Sequence, residues 1–153
     1  MRVLILSDSH GRKDNVLRAL DQAGRIDAVV HAGDGGKDLP DLELPCYAVR
    51  GNCDWALELP LELEFTLDGT GFFLCHGHEF GVKRGLLRLF YRAQQAKAQY
   101  AIFGHTHKSA VLQRDGVTFI NPGSIGFGER RSAPSFALLE TGDKACCRIV
   151  PLE

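Results

Sequence analysis

Short apolar runs that end abruptly in a glycine, a carboxylate or a histidine recur along this chain, and they constrain its fold more than any other feature. The first, RVLIL at 2–6, is apolar throughout, as a strand covered on both faces of a sheet must be, and it runs straight into Ser7-Asp8-Ser9-His10-Gly11. Val16, Leu17, Leu20 and Ala23 then fall on one face of a helix expected over 12–23, which Gly24 ends. A second buried strand, DAVVH at 27–31, leads at once to Gly33-Asp34. Strand, helix and strand in that order imply a parallel pair with a right-handed crossover. In such sheets the ligand site lies beyond the carboxyl ends of the strands, so Asp8, His10 and Asp34 are brought to one edge.

The same pattern continues downstream. The segment 35–45, rich in Asp and Leu and bounded by Pro40 and Pro45, reads as a loop with at most one helical turn. A strand at 46–50 (CYAVR) ends in Gly51-Asn52-Cys53-Asp54. Over 61–67, Leu61, Leu63, Phe65 and Leu67 alternate with Glu62, Glu64 and Thr66, a half-buried antiparallel strand. Asp68-Gly69 turns it into a strand at 72–75 that ends in His76-Gly77-His78-Glu79. A second helix is expected over 82–98, apolar along Val82, Leu86, Leu89, Phe90 and Ala93. It carries Lys83, Arg84, Arg88, Arg92 and Lys97 with no acidic residue, a face that is either merely solvated or offered to an anionic substrate or partner.

Ala101, Ile102 and Phe103 form a short strand that Gly104 breaks, leaving His105 and His107 on the turn beyond it. On extended backbone two such histidines point to opposite sides. A tight turn lets both converge on one centre or on two adjacent ones; the alternative is an ordinary polar loop. Strands at 110–113 and 117–120 flank Arg114-Asp115-Gly116, and Asn121-Pro122-Gly123-Ser124 opens a polar loop that continues over 126–131. Strands at 136–140 and 146–150 pair around Thr141-Gly142-Asp143. The N-terminal half is thus α/β and the C-terminal part mostly antiparallel β, most simply buried as two sheets packed face to face with helices outside.

At 153 residues the chain is expected to form one domain with a substantial core. A hydrophobic fraction of 44% and a charged fraction of 24% are those of ordinary soluble proteins. A net charge of −1 makes no general case for nucleic acid or a membrane as partner. One basic residue and four consecutive apolar ones before Asp8 make a poor signal peptide, and no apolar run approaches the ~20 residues of a membrane span. The five cysteines show no CxxC spacing, so neither a disulfide framework nor a thiolate zinc site is indicated. Reduced thiols in the cytoplasm fit them best, and association with further copies of the chain is left open.

Seven residues at five strand ends remain: Asp8, His10, Asp34, Asn52, His76, His105 and His107. Singly, each has a plainer role, since an Asp or Asn after a strand is usually a turn residue and a lone histidine a hydrogen-bonded bystander. Together they offer four imidazoles, two carboxylates and an amide oxygen. That is too many donors for one tetrahedral zinc and suits two first-row metals of higher coordination number. Two metals ~3.5–4 Å apart are suited to clamp the attacking and leaving oxygens of a displacement at phosphorus.

Asp8-Ser9-His10, Gly33-Asp34, Gly51-Asn52-Cys53-Asp54, His76-Gly77-His78, Gly104-His105-Thr106-His107 and Asn121-Pro122-Gly123-Ser124 occur in that order. On these motifs the chain resembles the calcineurin-like metallophosphoesterase superfamily, and most of all its small bacterial and archaeal phosphodiesterase branch. The resemblance implies an α/β fold, a four-layer α/β/β/α sandwich of two mixed β-sheets flanked by helices. Carried over by position, Asp8, His10 and His107 hold one metal, Asn52, His76 and His105 hold the other, and Asp34 bridges them. A hydroxide bridging the two metals attacks phosphorus while the metals neutralise charge on the phosphoryl oxygens. Two divalent ions are therefore expected, manganese first, with iron, zinc, nickel or cobalt compatible with the same donors. The substrate is expected to be a small phosphodiester, with phosphomonoesters cleaved more slowly.

Many relatives in that superfamily carry a histidine after the Asn of the GN turn to protonate the leaving group. Here Cys53 stands in its place, and a thiol is a poor substitute. Either His78 supplies the proton or substrates with good leaving groups are favoured. Only 17 residues separate Asp34 from Asn52, which leaves little wall around the pocket. Ser9, Arg12, Lys108 and Ser124 are either phosphate contacts or, more simply, turn residues. His31 is expected to be a structural hydrogen-bond partner and Asp54 to orient the Asn52 turn. The alternative function is a non-catalytic, metal-binding protein-interaction scaffold: a retromer subunit of this fold resembles the same branch, largely keeps the pocket and lacks that histidine. The complete ligand set favours the enzyme, and a nuclease ranks third.

Overall fold

The first apolar run forms β1 (Arg2–Leu6), and after α1 (Lys13–Ala23) the chain returns beside it as β2 (Ala28–His31), parallel, with Val3 opposite Ala28. The computed structural model describes residues 1–128 and 133–153, so positions 129–131 of the loop expected over 126–131 lie outside the described residues. β3 (Cys46–Ala48) continues the parallel pairing, while β9 (Ser135–Glu140) and β10 (Cys146–Pro151) extend the other side in antiparallel fashion. The resulting five-stranded sheet has the order β10-β9-β1-β2-β3. Between β2 and β3 the only helical piece among the described residues is a short 3₁₀ turn at Gly36–Asp38, as the brevity of that connection requires.

The second sheet contains β4 (Glu62–Leu67), β5 (Thr70–Cys75), β6 (Tyr100–Ile102), β7 (Ala110–Arg114) and β8 (Val117–Asn121), in the order β4-β5-β6-β8-β7. Its centre is parallel and its two edges are hairpins. Asp68 and Gly69, both at positive φ, make the β4–β5 turn, because that mirror-image geometry matches the twist of the strands it joins.

Alternation along the strands sorts the side chains into three apolar layers. Val3 and Ile5 of β1, Val30 of β2 and Leu139 of β9 meet Phe72 and Leu74 of β5, Ile102 and Ile120 between the sheets. The opposite face of the first sheet, with Leu4, Leu6, Val29, Phe136 and Leu138, packs with Val16, Ala19 and Ala23 of α1. The outer face of the second, with Phe73, Ala101 and Phe119, packs with Leu89, Phe90 and Ala93 of α2 (Leu87–Gln95). This is the expected four-layer α/β/β/α sandwich of two mixed sheets. Rings run across its middle: Tyr47 of the first sheet stacks on Phe65 (3.9 Å between centroids), Phe65 on Phe72 (5.1 Å) and Phe72 on Tyr100 (5.2 Å).

Four expectations are corrected. The second helix starts at Leu87, not at 82, and ends at Gln95, not at 98. Gly85 at φ 150 breaks the apolar periodicity from within, a torsion no helix contains. On α1 the buried stripe is Val16, Ala19 and Ala23; Leu17, one residue and about 100° around the helix from Val16, falls off that stripe and is 51% exposed. Leu61 lies outside β4 at the surface, and β3 ends at Ala48, short of 50, since Val49 and Arg50 turn toward the strand-end loops. Among the described residues no helix is long and apolar enough to cross a membrane.

Truncating the central ring, Phe72→Ala, is expected to cost about 3–5 kcal/mol of stability, read as a lower urea midpoint. Leu17→Ala, on the exposed face of α1, is expected to stay within ~0.5 kcal/mol of the parent.

Candidate metal centre

All seven sequence-derived candidates lie just past the C-terminal ends of β1, β2, β3, β5 and β6, on one edge of the sandwich. The exits are laced together. Asp8 N–H donates to Gly33 O (2.9 Å), His10 N–H to Asp34 O (3.0 Å) and Gly104 N–H to His76 O (3.0 Å). Five of the seven, Asp8, His10, Asp34, His105 and His107, have positive φ, between 46° and 66°. Among the described residues only three other non-glycine positions do, and each ends a helix or makes a hairpin turn. Such torsions cost roughly 1–2 kcal/mol per residue, are borne best by Asp, Asn and His, and persist only where the surroundings enforce them. They turn each side chain off the strand direction and back into the cluster. Two glycines make the room: a Cβ on Gly51 would strike the Asp34 carboxylate, and one on Gly104 would strike Ser7 Oγ and Asp8 Oδ2.

The cluster has two halves. In one, Asp8 Oδ1 lies 3.1 Å from His107 Nε2 and 3.8 Å from His10 Nε2, with the His10 and His107 ring centroids 5.4 Å apart. In the other, His76 Nε2 lies 3.0 Å from Asn52 Oδ1, and the His105 ring meets that of His76 edge-on at 5.0 Å. Asp34 Oδ2 sits between them, 3.9 Å from His10 Nε2 and 3.2 Å from His76 Nε2. The two histidines of the His105–His107 turn thus serve adjacent halves rather than one centre. Ligand atoms of Asp8, His10 and His107, of Asp8, Asp34 and His76, and of His10, Asp34 and Cys53 lie within 4.8 Å of one another.

A second tier of buried groups holds these side chains. Asp8 Oδ2 accepts from Ser7 Oγ (2.5 Å) and His105 N–H (3.1 Å). His76 Nδ1 donates to Ala32 O (2.7 Å), which aims Nε2 at the cluster. Asp54 accepts from the N–H groups of Asp34 (2.6 Å), Gly35 and Gly51 (3.0 Å), so it fixes the Asp34 turn as well as the Asn52 turn. Gly33 N–H donates to His31 Nδ1 (3.2 Å), which leaves His31 Nε2 to donate to Ser9 Oγ (3.2 Å). Ser9 in turn donates to Asp38 (2.7 Å), which also accepts from Gly11 N–H. Ser9 and Ser124 are therefore structural: Ser124 Oγ donates to Asp8 O (2.8 Å). Arg12 lies over the Phe127 ring. Sequence reasoning missed Ser7 and Asp38, and gave no role to a residue of the last motif, Asn121. It donates to Gly104 O and Thr106 Oγ1, both at 3.0 Å, and so pins the histidine turn.

Burial alone would raise the Asp8 carboxyl, but His107 and His76 outweigh it and hold Asp8 below the usual range. Asp34 is likewise lowered, burial being overcome by His76 and the Cys53 N–H. His76 is raised, against its burial, by Asp34 and Asp8, and Asp8 raises His107. His105 goes the other way: burial, His76 and Lys83 push it down to about 4. A cation bound there would compete with protons for the same imidazole nitrogens and carboxylate oxygens.

The donor set fits such a cation. Asp8 Oδ1 is wholly buried and has no hydrogen-bond partner among the described residues, although three imidazole nitrogens stand within 3.9 Å. A buried carboxylate oxygen left so is costly unless a positive charge meets it. His78 stands beside the second half, its ring 5.4 Å from that of His76 and 6.1 Å from that of His105. Burial and His76 lower its pKa, so it is neutral at pH 7. Partial burial and Asp34 push the Cys53 thiol up, which keeps it protonated.

Comparison with known proteins bears on this cluster. Residues 1–144 match the family model of the calcineurin-like phosphoesterase superfamily domain. A probable metallophosphoesterase of Bacillus subtilis, YsnB, is 37% identical over 141 residues, 91% of this chain and 83% of that protein. A phosphodiesterase of Methanocaldococcus jannaschii is 27% identical over 176 residues, covering 98% and 99%. Among solved structures, a conserved Streptococcus pneumoniae protein described as a predicted phosphoesterase superposes with a TM-score of 0.86 at 30% identity, covering 98% of this chain and 88% of that one. A variant of vacuolar protein sorting 29 from Entamoeba histolytica superposes with a TM-score of 0.79 at 26% identity, covering both chains fully.

Two outcomes follow from the buried tier. Asp54→Asn turns a donor toward three backbone N–H groups; it is expected to cost about 1–3 kcal/mol and to weaken divalent-ion binding roughly 10–100-fold, checked by thermal melts in chelator and by metal titration calorimetry. Burial pushes His31 down to about 4 in the folded protein, below its ordinary 6.5. The unfolded chain therefore binds the extra proton between those values, so the stability that neutral His31 contributes is whole above pH 6.5 and is lost as pH falls toward 4. In His31→Gln the loss of unfolding free energy between pH 7 and pH 4, from urea titrations in chelator, is expected to be roughly 3 kcal/mol smaller than in the parent.

Proposed function

Because the chain belongs to the calcineurin-like phosphoesterase superfamily, we propose that it is a metal-dependent phosphodiesterase with a two-metal centre at the strand ends. The observation that carries this reading is the Asp34 carboxylate standing between the two halves, within 3.9 Å of His10 and 3.2 Å of His76. Asp8, His10 and His107 would hold one divalent cation, Asn52, His76 and His105 the other, with Asp34 shared. Bound there, the pair supplies an acidified water as nucleophile and charge neutralisation for the phosphoryl oxygens.

The chain's own residues do the rest. Ser7, Ala32, Asp54 and Asn121 hold the ligating side chains in their strained exits before substrate arrives, so little reorganisation remains for the reaction. His78 is the candidate for contact with a phosphoryl or leaving-group oxygen, since it borders the His76–His105 half. Held neutral, it is a hydrogen-bond donor rather than a strong acid, and the Cys53 thiol is weaker still. Both features favour esters whose leaving groups need little protonation. A relative named a phosphodiesterase supports a diester as substrate.

The likeness to vacuolar protein sorting 29 supports a second reading, a metal-binding scaffold for other proteins. One experiment separates the two. Chelator-stripped protein is assayed on bis(p-nitrophenyl) phosphate with manganese, iron, zinc, nickel or cobalt restored singly. Metal-dependent turnover is expected, manganese leading, with kcat falling at least about 100-fold in Asp34→Asn. Metal binding without turnover on any ion would give the protein to the scaffold reading.

A further inference from the structure

Beside the strand-end cluster lies a cavity of about 390 Å³, within the size range of small-molecule sites, between the loop after β5 and the start of α2. Of the seven cluster residues only His105 lines it, so it begins where the cluster stops. Its other walls include Phe80, Lys83, Arg84, Leu87 and Arg88. The sequence carries five positive charges and no acid over 82–98, and the structure divides them. Arg92 is spent on Glu62 and Glu64, at 2.9 and 2.6 Å. Lys83, Arg84 and Arg88 are gathered on the cavity, and among the described residues none of their three side chains makes an ion pair or a hydrogen bond.

The cavity is built rather than incidental. Arg88 is turned back over it: Nη1 lies 4.0 Å from where a Gly81 Cβ would stand. Gly81 at φ 62 and Gly85 at φ 150 bend the loop so that Lys83 and Arg84 share the cavity with a side chain of the helix. Phe80 is held edge-on against Phe73 at 5.9 Å and, with Leu87, gives an apolar wall beside the cationic one. Three unneutralised cations around one concavity repel each other until an anion enters, and guanidinium groups bind phosphate with particular geometric fit.

We propose that this cavity recognises a second phosphate on the substrate, on an arm of the phosphodiester that leaves the metal centre past His105. The substrate class is then a phosphodiester of a nucleotide-like group carrying a further phosphate, the phosphate on Lys83, Arg84 and Arg88 and the apolar part against Phe80 and Leu87. The proposal rests on the phosphodiesterase reading and names its specificity.

The test compares p-nitrophenyl thymidine 5′-phosphate with the same ester bearing a 3′-phosphate, using manganese-loaded protein and bis(p-nitrophenyl) phosphate as the reference substrate. The 3′-phosphorylated ester is expected to have a kcat/KM about tenfold higher, through KM, a preference that shrinks as salt is raised. In the double variant Arg84→Met, Arg88→Met, which keeps Lys83 beside His105, the preference is largely lost while turnover of the reference substrate is unchanged. Metal-stripped protein is expected to bind thymidine 3′,5′-bisphosphate in calorimetry, about tenfold more weakly in the variant. Equal kcat/KM for the two esters, or a preference that survives in the variant, overturns the proposal and leaves the phosphodiesterase reading standing. Failure to turn over the reference substrate as well overturns both.

Discussion

A carboxylate buried at the end of the central strand of the first sheet is what the rest of the strand-end edge answers to. Asp8 is wholly inaccessible, and an ionised group in that position is affordable only with hydrogen bonds and opposite charge around it. One oxygen is satisfied by Ser7 and by the N–H of His105, from opposite sheets. The other is left to the imidazoles of His10, His76 and His107. Its own backbone is tied to Gly33 and to Ser124. The β2 exit, the β6 exit and the loop after β8 are therefore all gathered onto one residue, and the positive φ of Asp8 and its neighbours is what that gathering costs.

Much of this was legible from the chain because the signals are local. A strand buried on both faces has to be apolar throughout, so RVLIL and DAVVH declared themselves, and the polar residue that follows such a strand can only lie at its end. The glycines of the Gly33-Asp34, Gly51-Asn52 and Gly104-His105 pairs were readable as breaks. That two of them are also spaces, emptied for Asp34 and Asp8, emerges only when distant strands are brought together.

What the chain did not disclose is set by such distant contacts. Asp38 lies in a loop rich in Asp and Leu where nothing distinguishes it from Asp41, yet one is buried against Ser9 and Gly11 and the other is exposed. Asn121 reads as an ordinary turn former before Pro122, and its grip on the histidine turn comes from the pairing of β6 with β8. The second helix looked longer because apolar spacing continues through Val82 and Leu86; both residues do pack into the outer layer, but from turns bent by two glycines. Periodicity reported burial correctly there and backbone conformation incorrectly.

The strand exits that carry the seven residues come from both sheets: Asp8, His10, Asp34 and Asn52 from one, His76, His105 and His107 from the other. The sheets otherwise adhere through an apolar layer, a contact that resists separation but tolerates small sliding, because it has no direction. Anything gripped by all seven side chains is directional and belongs to neither sheet. It acts as a clasp on the seam, turning two slabs held by grease into one mechanical body. Occupancy of the edge and the alignment of the whole sandwich are then one equilibrium, so a change in packing far from the edge is felt there as a change in affinity.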